Sequence, residues 1–576
     1  MNKRIVRRPI PPDVSLTNGL HPVLRRVYAA RGVSGLDEIE YPLKRLHSYH
    51  ALKGIEQAVD LLCEALERRA RILILADFDA DGATSCALAV WGLRALGAAD
   101  VRYLVPDRFR YGYGLTPEIV TVAAEQAPAL LITVDNGIAC LEGVAEAQRR
   151  GMRVLVTDHH LPGAELPQAE AIVNPNQPVC PFASKAIAGV GVMFYVLSAL
   201  RARLRRAGWF ERTGLPEPNL AEGLDLVAVG TIADVVSLDY NNRILVAQGL
   251  ARIRAGRCRP GIRALVAVAG RGLSRLTAGD LGFVVGPRLN AAGRLADMSL
   301  GIACLLCCDQ SSASTIAGQL DTLNQERRVI ERQMREQALA ALEALLLEDT
   351  EALPRGLCLY DGTWHQGVIG ILAGRLKDRL HRPVIAFADG CEGMLKGSAR
   401  SVPGVHIRDV LESCAAKHPG LIARFGGHAM AAGLSLRKAD LPRFQVVFDE
   451  EVRHWLSSED LSGQVMTDGD LGAEEMTLDL AEAIWNGGPW GQGFPEPLFD
   501  GEFEVLNHRV VAERHLKLTL GISGTRQPIE AMAFNAVDDD WPLHTPRLQL
   551  AYRLDIDDYQ GDRRPRLIVE HALAAG

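Results

Sequence analysis

Nowhere in the 576 residues does an apolar run approach the length of ~20 that a membrane-spanning helix needs. The basic start, MNKRIVRRPIPPD, continues into prolines and polar residues rather than an apolar stretch, so no signal peptide is expected. Cysteine is sparse, with eleven in the whole chain, and most sit in apolar segments as Cys63, Cys86 and Cys358 do. Reduced, buried thiols are therefore expected rather than a disulfide framework. The one metal-like spacing, Cys304, Cys307 and Cys308 in LGIACLLCCD, has no second pair of ligands nearby and is assigned to core packing. Excess positive charge is also missing. A net charge of −7 argues against non-specific coating of nucleic acid, though it leaves room for a local basic groove. Internal repeats and low-complexity segments are lacking too. These absences predict a cytoplasmic globular protein, and ~150 residues per domain predicts three or four units.

From residue 71 the chain alternates short β-rich runs, RILILA, VRYLV, ALLITV, RVLVT and AIV, with amphipathic stretches. Such runs belong to a parallel sheet covered on both faces, which predicts an α/β domain over 51–310 behind an N-terminal extension of 1–50. Between 311 and 348 there is no proline, and Ile316, Leu320, Leu323, Ile330, Met334 and Leu342 recur with a helical period. At ~1.5 Å per residue that helix spans on the order of 50 Å, enough to join two lobes across a cleft. GLCLYD, PVIAFAD and the glycine-rich turns at 362–370 and 426–433 predict a second α/β domain over 349–456. After a polar linker, LSSEDLSGQ, short strands follow one another without helices, which predicts a small OB-fold-like barrel over 462–576.

In open α/β sheets functional groups gather where strands end at their carboxyl edge. This chain places three acidic groups there: Asp77, Asp79 and Asp81 in ADFDADG, Asp135 in TVDNG, and Asp158 with His159 and His160 in VTDHH. Three alternating carboxylates repel one another, so something cationic should neutralise them. An EF-hand loop shares the D-x-D-x-D-G spacing but needs a glutamate at its twelfth position, where Leu88 stands. Any single acidic residue at a strand end could be a helix N-cap. Occurring together, carboxylates and imidazoles without thiolates make a site suited to Mn²⁺ or Mg²⁺ rather than structural Zn²⁺.

DFDADG, VDNG, DHH and GTIADVV, in this order, are similar to the four phosphoesterase motifs of the DHH superfamily. The similarity continues through GPRLNAAGR (286–294), WHQGVIGILAGR (364–375), KGSARS (396–401) and FGGHAMAAG (425–433), so the chain resembles the superfamily's single-stranded-DNA exonucleases along nearly its whole length. The resemblance implies that Asp79, Asp81, Asp135, His159 and Asp234 ligate two metal ions, with Asp77 and His160 as close second candidates. Asp225, nine residues before Asp234, is the alternative for the last ligand, but GTIAD fits the motif better. Two divalent ions ~3.5–4 Å apart lower the pKa of a bridging water and stabilise charge on the phosphoryl oxygens. His160, where it is not a ligand, orients a phosphate oxygen or the attacking water, or else is a buried hydrogen-bonded histidine.

The downstream motifs carry the expected substrate contacts: Arg108, Arg110, Tyr113, Arg288, Asn290, Arg294, His365, Ser398, Arg400, Ser401 and His428. Their glycine- and serine-rich loops let backbone N–H groups and guanidinium forks approach phosphates, although any one arginine could equally be a surface ion pair. Ser398, Arg400 and Ser401 resemble a terminal-phosphate pocket, and Tyr111 and Tyr113 either stack on bases or support their turn. Arg509, Arg514, Lys517, Arg553 and Tyr559 are expected on a DNA-holding face of the barrel. Three readings follow: an exonuclease on single-stranded DNA, a small-substrate phosphohydrolase with the same metal site, and an inactive binding module. The intact acidic set disfavours the last and the added strand-rich region disfavours the second. The resemblance also implies 5′-end polarity, a monomer, work with a single-strand-binding protein and a helicase, and a place in recombinational and mismatch repair.

Overall fold

The computed structural model describes residues 3–11, 16, 19–348, 353–456, 463–525, 527–537, 541, 545–558 and 562–575. The first sheet has five parallel strands in the order Asp100–Leu104, Arg71–Ala76, Leu130–Val134, Arg153–Thr157, Ala171–Val173. Its apolar strands are buried on both faces, with helices Ala80–Ala95, Gly189–Arg206 and Leu224–Ala233 contributing to the same core. Register decides what happens at the edge. Ala76 pairs with Val134 and Val134 with Thr157, so the next residues, Asp77, Asp135 and Asp158, leave the sheet side by side.

A single helix of 39 residues, Gln310–Glu348, leads away from this domain, on the order of 60 Å at ~1.5 Å per residue. Ala313, Ala317 and Leu320 belong to the first core, while Met334, Ala338 and Leu342 belong to the core of the second lobe. Arg288 is clamped to it by an ion pair with Asp321 at 2.8 Å. Glu331 ties it to both Arg327, at 3.1 Å, and Arg375, at 3.2 Å.

The second lobe is a mixed five-stranded sheet in the order Arg424–Gly427, Ala431–Arg437, Met394–Arg400, Val384–Asp389, Leu357–Tyr360. Beyond it, five strands close into a barrel: Phe499–Val511, His515–Gly521, Ile529–Ala533, Arg564–Ala574 and Arg547–Asp557. The amino terminus joins this barrel region. Strand Arg4–Arg7 pairs in parallel with Gln464–Thr467, and Val23, Leu24, Val27 and Tyr28 share one apolar core with Phe494, Phe499, Leu518 and Leu550. No described helix is long and apolar enough to cross a membrane.

The cysteine expectation needs correction in part. Cys86, Cys304 and Cys358 are buried, but Cys63 and Cys307 are half-buried and Cys308 and Cys391 are exposed. The helix carrying Cys304 ends at Leu306; Cys307 still packs at the edge of the first core, and Cys308 turns out of it.

Candidate metal centre and substrate cleft

Each acidic group reaches the sheet edge by a local device. Asp79 caps the helix Ala80–Ala95, accepting from the Gly82 N–H at 2.9 Å. Asp81, in the first turn of that helix, is fully buried and accepts from the Gly189 and Val190 N–H groups at 2.6 and 3.0 Å. Asp135 holds a left-handed backbone at φ +63°, where a non-glycine residue is uncommon. Asp234 ends the helix Leu224–Ala233.

These elements converge on His159. Its Nε2 lies 3.1 Å from Asp135 Oδ1, 3.5 Å from Asp234 Oδ2 and 4.0 Å from Asp81 Oδ2. Three overlapping sets have ligand atoms within 4.8 Å of one another: Asp81, His159 and Asp234; Asp135, His159 and His160; and Asp77, Asp79 and Asp135. Burial, reinforced by the charge of Asp234, pushes the Asp81 carboxyl up to about 7; burial and Asp79 do the same to Asp234. Asp77 and Asp135 are raised well above the usual carboxylate range by burial and then by their acidic neighbours. His159 is lowered by burial and by His160. Asp135 Oδ1 and His159 Nε2, close but not aligned for a hydrogen bond, are both buried with no hydrogen bond among the described residues, a costly state that a divalent cation relieves. Oxygen and imidazole donors without a thiolate fit Mn²⁺ or Mg²⁺.

Asp158 does not join the ligand sets. It accepts from the N–H groups of Ile138, His159 and His160 and from His160 Nδ1 at 2.7 Å, fixing the two histidines. That bond and the nearby carboxylates raise His160 to about 9, overcoming the opposite effect of burial.

Facing the carboxylates is a set of cations. Arg108 lies over the Phe78 ring at 4.4 Å and donates to the Gly293 carbonyl at 3.4 Å. Arg294 is pushed down to about 10 by burial and by repulsion from Arg108 and Arg400. Arg400 donates to Ser398 Oγ at 3.1 Å, and burial lowers it as well. None of the three has an ion pair among the described residues. A Cβ on Gly370, in the first turn of helix Ile369–Leu380, would come within 2.9 Å of both Ser398 Oγ and Arg400 Nη2, so glycine opens this corner. His365 meets the Phe109 ring edge-on at 5.8 Å, and His428 stacks on His160 at 5.7 Å. The two lobes thus meet over the metal cluster.

Most of the expected residues gather here, but not all in the expected way. Asn290 Oδ1 accepts from the Ala80 N–H at 2.8 Å, so it braces the acidic turn. Tyr113 Oη lies 3.3 Å from His160 Nε2, while Arg110 is exposed and lies over Tyr111. Arg288 is buried and engaged with Asp321 and the Val284 carbonyl, so it holds the long helix rather than substrate. Ser401 is buried and donates to the Val405 carbonyl at 2.8 Å, so its hydroxyl proton is engaged in shaping the turn. Asp225 pairs with Arg259, in none of the ligand sets, which leaves Asp234 as the fit. On the barrel Lys517 pairs with Glu530, and Arg553 with Glu496 and Glu570, so neither offers a free charge; Arg509 and Arg514 are exposed. Tyr559 lies outside the described residues.

Sequence reasoning passed over Gly189 and Val190, whose N–H groups hold Asp81. It also passed over Asn174 and Asn176, which donate to the carbonyls of His160 and His159 at 2.9 and 2.6 Å. The available signals were AGVGV at the start of a helix and NPN after a strand, both common patterns.

Three family models match the chain: the DHH family, N-terminal domain, over residues 71–231; the DHHA1 domain over 354–454; and the RecJ OB domain over 467–571. A curated relative, the single-stranded-DNA-specific exonuclease RecJ of Dickeya dadantii, is 54% identical over 566 residues, 98% of each chain. The crystal structure of RecJ in complex with Mn²⁺ from Thermus thermophilus superposes with a TM-score of 0.79 at 31% identity. It covers 97% of this chain and 76% of that one. The Mg²⁺ complex from the same organism gives a TM-score of 0.73 at 29% identity, covering 97% and 75%.

Proposed function

The chain belongs to the RecJ family, and from that premise we propose that it hydrolyses single-stranded DNA to mononucleotides from the 5′ end, using Mn²⁺ or Mg²⁺. One observation carries the reading: buried carboxylate and imidazole sets that share Asp135 and His159 lie near Arg108, Arg294 and Arg400, which have no ion pair among the described residues. Asp79, Asp81, Asp135, His159 and Asp234 would hold two ions, with Asp77 at the edge of the set. Bound there, the ions supply a water of lowered pKa and charge stabilisation on the phosphoryl oxygens.

The remaining groups position the strand. His160, whose Nδ1 is held by Asp158, offers its other ring edge to a phosphate oxygen, with Tyr113 and His428 packed around it. Arg108, Arg294, Arg400, Ser398 and His365 form a recess suited to a terminal phosphate, because guanidinium forks left unpaired by protein carboxylates bind phosphate strongly. That recess supports the 5′ polarity. Arg110, Arg509 and Arg514 contribute charge along the strand.

We place the enzyme in the cytoplasm as a monomer, acting in recombinational and mismatch repair with a single-strand-binding protein and a helicase. Digestion of 5′- and 3′-labelled single strands with Mn²⁺ or Mg²⁺, with duplex and RNA controls, tests the reading. Early release of the 5′ label as a mononucleotide supports it; release from the 3′ end, or equal cutting of duplex, overturns it.

A further inference from the structure

Phe283 is the most exposed aromatic side chain among the described residues, at 81%. It lies in a π turn, Leu281–Val285, an irregularity often found at functional sites. The turn is packed against the end of the helix that delivers Asp234. A Cβ on Gly282 would lie 3.1 Å from Ile232 Cγ2, and one on Gly286 would lie 3.1 Å from Ala233 Cβ. Immediately after Asp234 comes Val235, 63% exposed and held at φ +63°. A β-branched residue in that conformation is a true outlier, and such strain persists where the surrounding structure imposes it.

The same segment runs from the metal cluster to the barrel side of the molecule. Leu238, three residues beyond Val235, donates its backbone N–H to the Gln492 carbonyl at 2.7 Å, and its side chain belongs to the barrel's core. In the other direction, the chain after Phe283 reaches Gly293 and Arg294. There Gly293 lies so close to the Phe78 carbonyl oxygen, between Asp77 and Asp79 in sequence, that a Cβ would not fit. The segment 281–294 therefore touches the end of the Asp234 helix at its start and the acidic turn after Asp77 at its end.

We propose that Phe283, together with Val235, forms the platform on which bases stack as the strand passes from the metal cluster toward the barrel. The proposal rests on the nuclease reading above. Its occupant is the unpaired base of the strand downstream of the cut, since an exposed ring beside a phosphate-cleaving centre meets bases first, and every base offers a π face. A paired base is already stacked and hydrogen-bonded, so the platform also favours single strands.

The test uses the full-length protein with Mn²⁺ and 5′-phosphorylated single strands carrying one abasic site, moved position by position along the strand. The native protein should show a rise in KM of about tenfold, the size of one missing base stack, at the position that meets Phe283. Phe283→Ala should raise KM on the intact strand by about the same factor with kcat little changed and should lose the position-specific sensitivity; Phe283→Tyr should restore both. Persistence of the same abasic profile in Phe283→Ala, or a profile without any sensitive position, overturns the proposal. Failure of the native protein to digest any single strand would instead overturn the nuclease reading itself.

Discussion

At Asp135 a left-handed backbone and a buried carboxylate oxygen without a hydrogen-bond partner occur in one residue, and each alone costs about 1–3 kcal/mol. A bound cation removes the second cost and gives the first its purpose. Asp135→Ala and His159→Ala should therefore lower hydrolysis at least on the order of 10²-fold while circular dichroism stays unchanged. The two aspartates of the 224–234 stretch should behave oppositely. Asp234→Ala should weaken Mn²⁺ binding measured by calorimetry. Asp225→Ala, which strands the Arg259 guanidinium, should lower the unfolding temperature and leave Mn²⁺ binding intact. Arg400→Ala should depress kcat/KM on 5′-phosphorylated ends more than on 5′-hydroxyl ends; equal loss would place Arg400 elsewhere along the strand.

The raised carboxyls also set a pH dependence. Asp81 and Asp234 hold protons up to about pH 7 in the folded, metal-free protein, against ~3.9 in the unfolded chain. The folded form thus binds more protons between these values, and the metal-free protein loses stability as pH rises through that window. Mn²⁺ displaces those protons. Its stabilisation, read as a rise in unfolding temperature, should be small near pH 5 and large near pH 8; a pH-independent rise would contradict the cluster's assignment.

Among the elements, the helix Gln310–Glu348 is where local and tertiary information meet. Its existence follows from the absence of proline and a helical period, but its role depends on which partners its polar residues find. Glu331 is buried and accepts from both Arg327 on the same helix and Arg375 on the second lobe. Removing it leaves Arg327 buried without its carboxylate. Glu331→Ala should destabilise by on the order of 3 kcal/mol, read as an earlier unfolding transition. Glu331→Gln, which keeps hydrogen-bonding capacity, should lose less. Arg288 teaches the reverse lesson: an arginine in a glycine-rich motif reads as a substrate contact until Asp321, 33 positions away in sequence and 2.8 Å away in space, is seen beside it.

For the whole molecule, the amino terminus and the barrel share one apolar core. Strand Arg4–Arg7 makes a separate two-stranded sheet with Gln464–Thr467 and the helix Pro22–Ala29 packs into the barrel's core, so cutting the chain before the barrel would expose Val23, Val27 and Tyr28. Point substitutions are therefore the sounder probe of DNA holding. The Arg509→Glu and Arg514→Glu double variant should weaken binding of long single strands. It should also flatten the salt dependence of affinity by about 0.7 in slope for each phosphate no longer neutralised, measured by fluorescence anisotropy.

Patterns within one segment were decisive from the sequence alone: β-rich runs specified the parallel sheet, an unbroken helical period specified the long helix, and the spacing of acidic residues after three strands pointed to the candidate metal cluster. These are short-range properties, carried by side-chain periodicity and by backbone preferences that need no distant partner. Tertiary structure alone decided the assignments that depend on who pairs with whom. It set Asp234 beside His159 and Asp225 against Arg259, engaged Arg288, Ser401, Lys517 and Arg553 with partners inside the protein, and brought Gly189, Asn174 and Asn176 to the histidines and aspartates of the cluster. A charge's role is set by its nearest opposite charge and by its burial, and both are distances through space that no spacing along the chain encodes.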